Sequence, residues 1–203
     1  MLSVAPPAIS RNDKWFDSDE RFHLLYPAPM QTLAFSHWTP LDVARRAAWF
    51  LAAEQNVQIL DIGSGIGKFC LSAAYFMPKA FYTGIEQRKK LVDHAENAKN
   101  NLGLQNIEFI HGNFTKLDFA NYDHFYFYNS FYENFSFTDK IDDSVGHSKE
   151  LYHYYARHLL KQLEQKPAGT RLATFHSLED EIPADFLVVG SEMENQLKFW
   201  IKI

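Results

Sequence analysis

Apolar and polar positions along this chain follow two periods in turn, and their alternation predicts an architecture. In WTPLDVARRAAWFLAAE, Leu41, Ala44, Ala48 and Leu51 recur at helical spacing. Thr39 is suited to cap that helix and Pro40 to its first position, so a helix is expected over about 40–54. Short apolar runs bounded by turn residues then mark strands in VQILDIG, AFYTGIE, IEFIHGN, YDHFYFYN and TRLATFHS. Between them, KFCLSAAYFM reads as a helix stopped by Pro78. QRKKLVDHAENAKNNLG reads as a helix with Leu91, Ala95 and Ala98 on one face, ended near Gly103. KELYHYYARHLLKQLEQK reads as a long helix, and DFLVVGS with QLKFWIKI as a terminal pair of strands. Strands alternating with helices predict an α/β fold: a doubly wound, mostly parallel seven-stranded sheet with helices on both faces. Residues 1–14 read as a loose tail, and the aromatic, proline-punctuated 15–38 as short helices and turns.

Composition adds bounds. The 203 residues suit one domain of ordinary size, here an N-terminal helical and aromatic cap segment, 1–54, leading into a ligand-binding domain, 55–203. The chain is 46% hydrophobic and 16% aromatic, enough for a substantial core. A net charge of −5 argues against gripping long nucleic acid through many phosphates. The lone Cys70 excludes an internal disulfide, no Cys/His spacing suggests a metal site, and both fit a reducing compartment. MLSVAPPAIS lacks the basic and apolar regions of a signal peptide, and no apolar run is long enough to span a bilayer. A soluble cytoplasmic protein, not acting in a membrane, is expected.

The chemistry concentrates in ILDIGSGIGKF, which sets Asp61 and the glycines Gly63, Gly65 and Gly67 between a strand and a helix. Glycine permits close backbone approach to a ligand, and the helix start offers unpaired N–H groups. Such a turn stands at the carboxyl ends of parallel strands, where open α/β sheets bind ligands. Glu86 ends the next strand, well placed for a carboxylate that binds ribose hydroxyls, although acidic charge at a helix start is also favourable in itself. A dinucleotide fingerprint needs a third glycine where Lys68 stands, and the match fails there.

LDIGSGIGKFCLSAA followed by GIE, together with the spacing of IHGNF, resembles the class I S-adenosylmethionine-dependent methyltransferases over about 55–203. The resemblance implies a Rossmann-like seven-stranded sheet with one antiparallel strand, and S-adenosyl-L-methionine as cofactor. It implies that Asp61, Gly63 and Gly65 line the methionine part, with Ser64 and Gly67 in the same turn. Glu86 would hold the ribose and Gln87 would lie beside the adenine. Asn113, where the family often has an acid, would accept from the adenine amine through its carbonyl. Phe114 would pack on the ring or belong to the ordinary core, and both readings stay open.

The strand YDHFYFY is expected beside the first strand, so NSFY, Asn129 to Tyr132, would fall at the reacting methyl. NSFY is similar to the Asn/Asp-Pro-Pro-aromatic motif of amino-group methyltransferases, with Ser130 and Phe131 in place of both prolines. It also looks like the Asn-rich turn of lysine methyltransferases of the disruptor-of-telomeric-silencing type. An NH₂ nucleophile needs acceptors for its hydrogens so that its lone pair faces the carbon. Asn129 through its side chain and Ser130 through its backbone carbonyl suit that role, and Phe131 and Tyr132 suit a planar base or a lysine stem. Phe125 to Tyr128 are expected as sheet core. FSHWTP resembles the upstream segment that closes over the methionine end in many of these enzymes, and its aromatics equally suit a hydrophobic lid, while 133–150 is expected to lie over the site as a loop. Arg88, Lys89 and Lys90 are expected on an exposed turn, and most of His147, His153, His158 and His176 at the surface.

The sequence thus points to nitrogen methylation of a protein side chain, a nucleic-acid base or a small amine, without choosing among them. Its rivals are a small-molecule O-methyltransferase, in which a base such as histidine takes a hydroxyl proton, and a non-catalytic cofactor-binding scaffold.

Overall fold

The computed structural model describes residues 13–129, 131, 134, 141–142, 144–177 and 182–203. Three short helices, α1 (Asp19–His23), α2 (Ala28–Gln31) and α3 (Ala34–His37), lead into α4 (Leu41–Leu51). Then follow β1 (Gln58–Ile62), α5 (Lys68–Phe76), β2 (Phe81–Glu86), α6 (Lys89–Leu102), β3 (Ile107–His111), β4 (His124–Tyr128), α7 (Lys149–Glu164) and β5 (Arg171–Phe175). The hairpin of β6 (Phe186–Glu192) and β7 (Leu197–Lys202) completes the chain. All seven strands form one sheet in the order β3-β2-β1-β4-β5-β7-β6, with β7 antiparallel to both of its neighbours. The loose tail expected over 1–14 lies almost wholly outside the described residues.

Strand β4 shows how sequence alternation becomes two cores. Phe125 and Phe127 point to one face, where they meet α7 residues Leu159 and Leu163. Tyr126 points to the other, among α4, α5 and α6. Both phenylalanines are wholly buried, and truncating either would cost ~3–5 kcal/mol. Phe16, Phe22, Tyr26, Met30 and Trp38 join the second cluster, so the N-terminal segment shares a core with the sheet. The β3–β4 crossover is built from two 3-10 turns, Phe114–Lys116 and Phe119–Asn121, capped by the side chains of Asn113 and Asp118.

The predicted first long helix needs correcting at both ends. Pro40 occupies the N-cap and no side chain caps the helix there. The Thr39 hydroxyl instead pairs with the Tyr126 hydroxyl at 3.1 Å, a buried contact that holds the segment to β4. The helix stops at Leu51, where its apolar stripe ends, and Asn56 turns the chain with φ 64°. Among the described residues, no helix is long and apolar enough to cross a membrane.

Candidate functional site

The turn after β1 is folded by its glycines. Gly63 and Ser64 both donate backbone N–H groups to the Ile85 carbonyl, at 3.0 and 2.9 Å, which folds the chain over the end of β2. Gly67 adopts φ +79° as the N-cap of α5 and donates to the Ser64 carbonyl at 2.8 Å. A Cβ at Gly67 would lie 2.4 Å from the Phe109 ring and 2.9 Å from the Ala95 methyl, so close packing as well as backbone geometry demands glycine. Gly65, at φ +54°, meets nothing within 4 Å and faces open space.

Above this turn lies a cavity of about 710 Å³ at the carboxyl ends of β1, β2, β4 and β5. Asp61, Gly63, Ser64, Gly65, Glu86, Gln87, Phe114 and Asn129 all line it. Gly67 and Asn113 are not among its lining residues, and Ser130 and Tyr132 lie outside the described residues. Although Ser64 belongs to the wall, its side chain packs on Gly84, and its hydroxyl has no partner among the described residues. The Asn113 amide donates to Gln87 Oε1 at 3.0 Å and to the Tyr155 hydroxyl at 2.9 Å, while its carbonyl accepts from the Thr115 N–H. Asn113 thus supports Gln87 from behind.

Two acids give the cavity its electrostatics. Glu86 is 6% exposed, and its carboxylate accepts the Arg88 N–H at 2.8 Å and the Gly65 N–H at 3.2 Å. These two donors fix the plane of the carboxylate against the glycine turn. Arg88 is buried, contrary to the exposed turn expected, because its guanidinium bridges Glu86 and Asp142. Lys89 pairs with Asp93 at the surface, as the first turn of an exposed helix face. Asp61 sits on the Tyr126 face of β1, and burial pushes its carboxyl up to about 8; the Cys70 thiol, 3.5 Å away, pulls it down, and the Glu86 charge adds to the rise.

Aromatic groups form the walls. Tyr126 stacks on Phe69 at 3.9 Å, and Phe114 stacks on Phe131 at 5.2 Å. Phe131 is only 3% exposed, so it belongs to the core while also facing the cavity. Asn129 and His176 follow the last paired residues of β4 and β5, Tyr128 and Phe175, which face one another in register. Both adopt positive φ, 39° and 55°, and both line the cavity. Left-handed backbone at two such non-glycine positions stores strain of the kind that collects at functional sites. His147 also lines the cavity; of the four histidines expected at the surface, His153 and His176 are exposed and His147 and His158 half-buried. With His147 come Ile141, Val145 and Gly146 from the 133–150 loop, and His37, Trp38 and Thr39 from the FSHWTP segment.

The sequence reading missed Lys68, the first residue of α5, which is 3% exposed and lines the cavity. A single lysine opening an otherwise apolar helix was the available signal. The whole arrangement suits a ligand with hydroxyls for Glu86, a cationic centre near the rings, and a flat group beside Gln87 and Phe114.

Comparison with known proteins agrees with that chemistry. Residues 53–151 match a family described as a methyltransferase domain. A tRNA (guanine-N(7)-)-methyltransferase from Microcystis aeruginosa is 44% identical over 54 residues, 27% of this chain and 26% of that protein. The matched stretch therefore spans about a quarter of the length of that relative. Among solved structures, TrmN from Thermus thermophilus superposes with a TM-score of 0.58 at 18% identity, covering 84% of this chain and 51% of that one. An RNA methyltransferase from Salinibacter ruber, in complex with S-adenosyl-L-homocysteine, superposes with a TM-score of 0.56 at 20% identity, covering 81% of this chain and 92% of that one. These superpositions establish the shared fold.

Proposed function

We propose, from the premise that residues 53–151 form a class I S-adenosylmethionine-dependent methyltransferase domain, that this chain methylates a nitrogen of a nucleic-acid base. S-adenosyl-L-methionine supplies, when bound, a methyl group on a sulfonium, open to in-line attack by a lone pair. The observation that carries the reading is the meeting, in one cavity, of the pinned Glu86 carboxylate at the end of β2 with Asn129 at the end of β4, with β1 between those strands. Glu86 takes the sugar hydroxyls, and the backbone of Gly63 and Gly65 lets the ligand approach closely. Gln87 and Phe114 flank the adenine. The Asn129 side-chain carbonyl accepts a substrate N–H and turns the nitrogen lone pair inward, so that most of the rate gain comes from orientation. Tyr128 and His176 offer flat surfaces for a planar base at the cavity edge.

The base is favoured over a protein side chain or a small amine because the named relative acts on tRNA. The net charge of −5 implies recognition of a local structure rather than a long phosphate track. A reaction on tRNA or rRNA is consistent with the cytoplasm as its place of action. The test is transfer of a labelled methyl group from S-adenosylmethionine into cell extract, followed by nuclease or protease. Nuclease-sensitive label is expected, and label released only by protease would replace the base with a protein side chain.

His176 favours a second reading, in which the acceptor loses a proton during transfer. Burial lowers its pKa, so the imidazole is neutral and able to accept. A rate that rises through the histidine range and goes flat in His176→Asn would support a proton-losing N–H or O–H acceptor. An unchanged profile would remove His176 from that role.

A further inference from the structure

Lys68 carries an inference that rests on the methyltransferase reading and deepens it. Its ammonium is buried in the cavity wall at the first turn of α5, in the same cavity that Glu86 lines. Taking a charge out of water is costly unless partners replace the lost hydration. Asp19 of α1 is one such partner, and His23 Nε2 lies 3.1 Å from the same nitrogen. The Phe22 and Trp38 rings stand 5.4 and 5.9 Å away, at the outer limit of a cation–π contact.

These contacts compensate the charge incompletely. Asp19 is shared, because its Oδ1 also accepts the Leu41 N–H at 3.0 Å, and its side chain is 38% exposed against 3% for Lys68. A water-screened carboxylate is thus set against a buried ammonium. An ammonium has three hydrogens, and Asp19 and His23 account for two among the described residues. The start of a helix adds positive potential at the same place. The cavity wall therefore carries both an acid, Glu86, proposed above to take the sugar hydroxyls, and an incompletely compensated ammonium suited to a carboxylate.

We propose that the Lys68 ammonium selects the carboxylate of the cofactor's amino-acid end. Asp19 then serves as a placeholder that keeps the ammonium oriented and ties α1 to the start of α5. Glu86 would hold the ribose of the cofactor and Lys68 its amino-acid carboxylate, both from the wall of the same cavity.

The test is calorimetry with two ligands. S-adenosylhomocysteine carries the amino-acid end, and 5′-methylthioadenosine keeps adenine, ribose and thioether but lacks it. Lys68→Met should weaken S-adenosylhomocysteine at least tenfold, on the order of 1.4 kcal/mol, and leave methylthioadenosine within about twofold. Lys68→Arg keeps the charge and should keep the preference for S-adenosylhomocysteine, which covers the case of a Lys68→Met protein that does not fold. Asp19→Asn should bind S-adenosylhomocysteine as well as the parent does, or more tightly. Equal weakening of both ligands by Lys68→Met, no weakening of either, or an Asp19→Asn loss matching that of Lys68→Met would overturn the proposal and leave the pair as a structural latch. If the unaltered protein binds neither ligand, the cofactor reading itself fails, and this inference with it.

Discussion

Gly67 and Gly65 occupy the same turn, both with positive φ, yet the structure gives them different reasons to be glycine. Alanine at either position pays the left-handed backbone cost of ~1–2 kcal/mol. At Gly65 nothing lies within 4 Å of the new methyl, so that cost should stand alone. At Gly67 the methyl would lie 2.4 and 2.7 Å from two Phe109 ring atoms and 2.9 Å from the Ala95 methyl. Relief is difficult, because Phe109 is 8% exposed on β3 and Ala95 is fully buried on α6. The Gly67 backbone cannot retreat either, since its N–H donates to Ser64 and its carbonyl accepts from Leu71. Overpacking of this kind adds ~1–3 kcal/mol, for a total near ~2–5 kcal/mol. Urea denaturation followed by tryptophan fluorescence measures both variants, and the Gly67→Ala minus Gly65→Ala difference isolates the packing contribution. Equal costs, within about 0.5 kcal/mol, would refute the reasoning. Calorimetry should show the reverse order, with Gly65→Ala losing more affinity for S-adenosylhomocysteine, because its methyl enters the space the ligand needs.

Three further outcomes are expected. Glu86→Ala should weaken S-adenosylhomocysteine at least tenfold, on the order of 1.4 kcal/mol by calorimetry, and unchanged affinity would remove Glu86 from the sugar site. Asn129→Ala should lower labelled-methyl transfer while cofactor affinity stays within about threefold, whereas a loss of both together would make Asn129 structural. Asp61, its carboxyl raised from 3.8 to about 8 by burial with Cys70 and Glu86 facing it, favours the neutral form in the folded chain. Its contribution to stability is therefore full below about pH 4 and is lost as pH rises toward about 8. Urea midpoints measured across that window should fall with pH in the parent more steeply than in Asp61→Asn, and parallel slopes would contradict the assignment.

The periodicity of the chain was a sufficient guide to the sheet and its helices because burial enforces it locally. Phe125, Phe127 and Tyr126 must face opposite sides of β4 whatever surrounds them. The glycine turn and Glu86 were also legible, since a strand–turn–helix unit carries its own spacing. Helix ends were less so. Pro40 replaced Thr39 at the N-cap because a distant hydroxyl, that of Tyr126, captured the threonine. No window of neighbouring residues contains that partner.

Contacts between segments far apart in the chain decided the rest. Arg88 reads as a solvated residue beside Lys89 and Lys90, but Asp142 crosses from a remote loop and buries it against Glu86. Asn113 reads as an acceptor for the adenine amine, but it lies outside the cavity lining, its carbonyl accepts the Thr115 N–H and its amide supports Gln87 and Tyr155. Lys68 reads as a failed glycine in a fingerprint, and becomes a buried cation of the cavity only once α1 supplies Asp19 and the segment after α3 supplies Trp38. The amino-acid order determined the sheet, the turn and the acid of the second strand, because those follow from steric and solvent preferences acting over a few residues. Which charged groups lie inside the cavity, and with which partners, was decided by the tertiary structure, because ion pairing depends on distance in space and on the water that packing excludes.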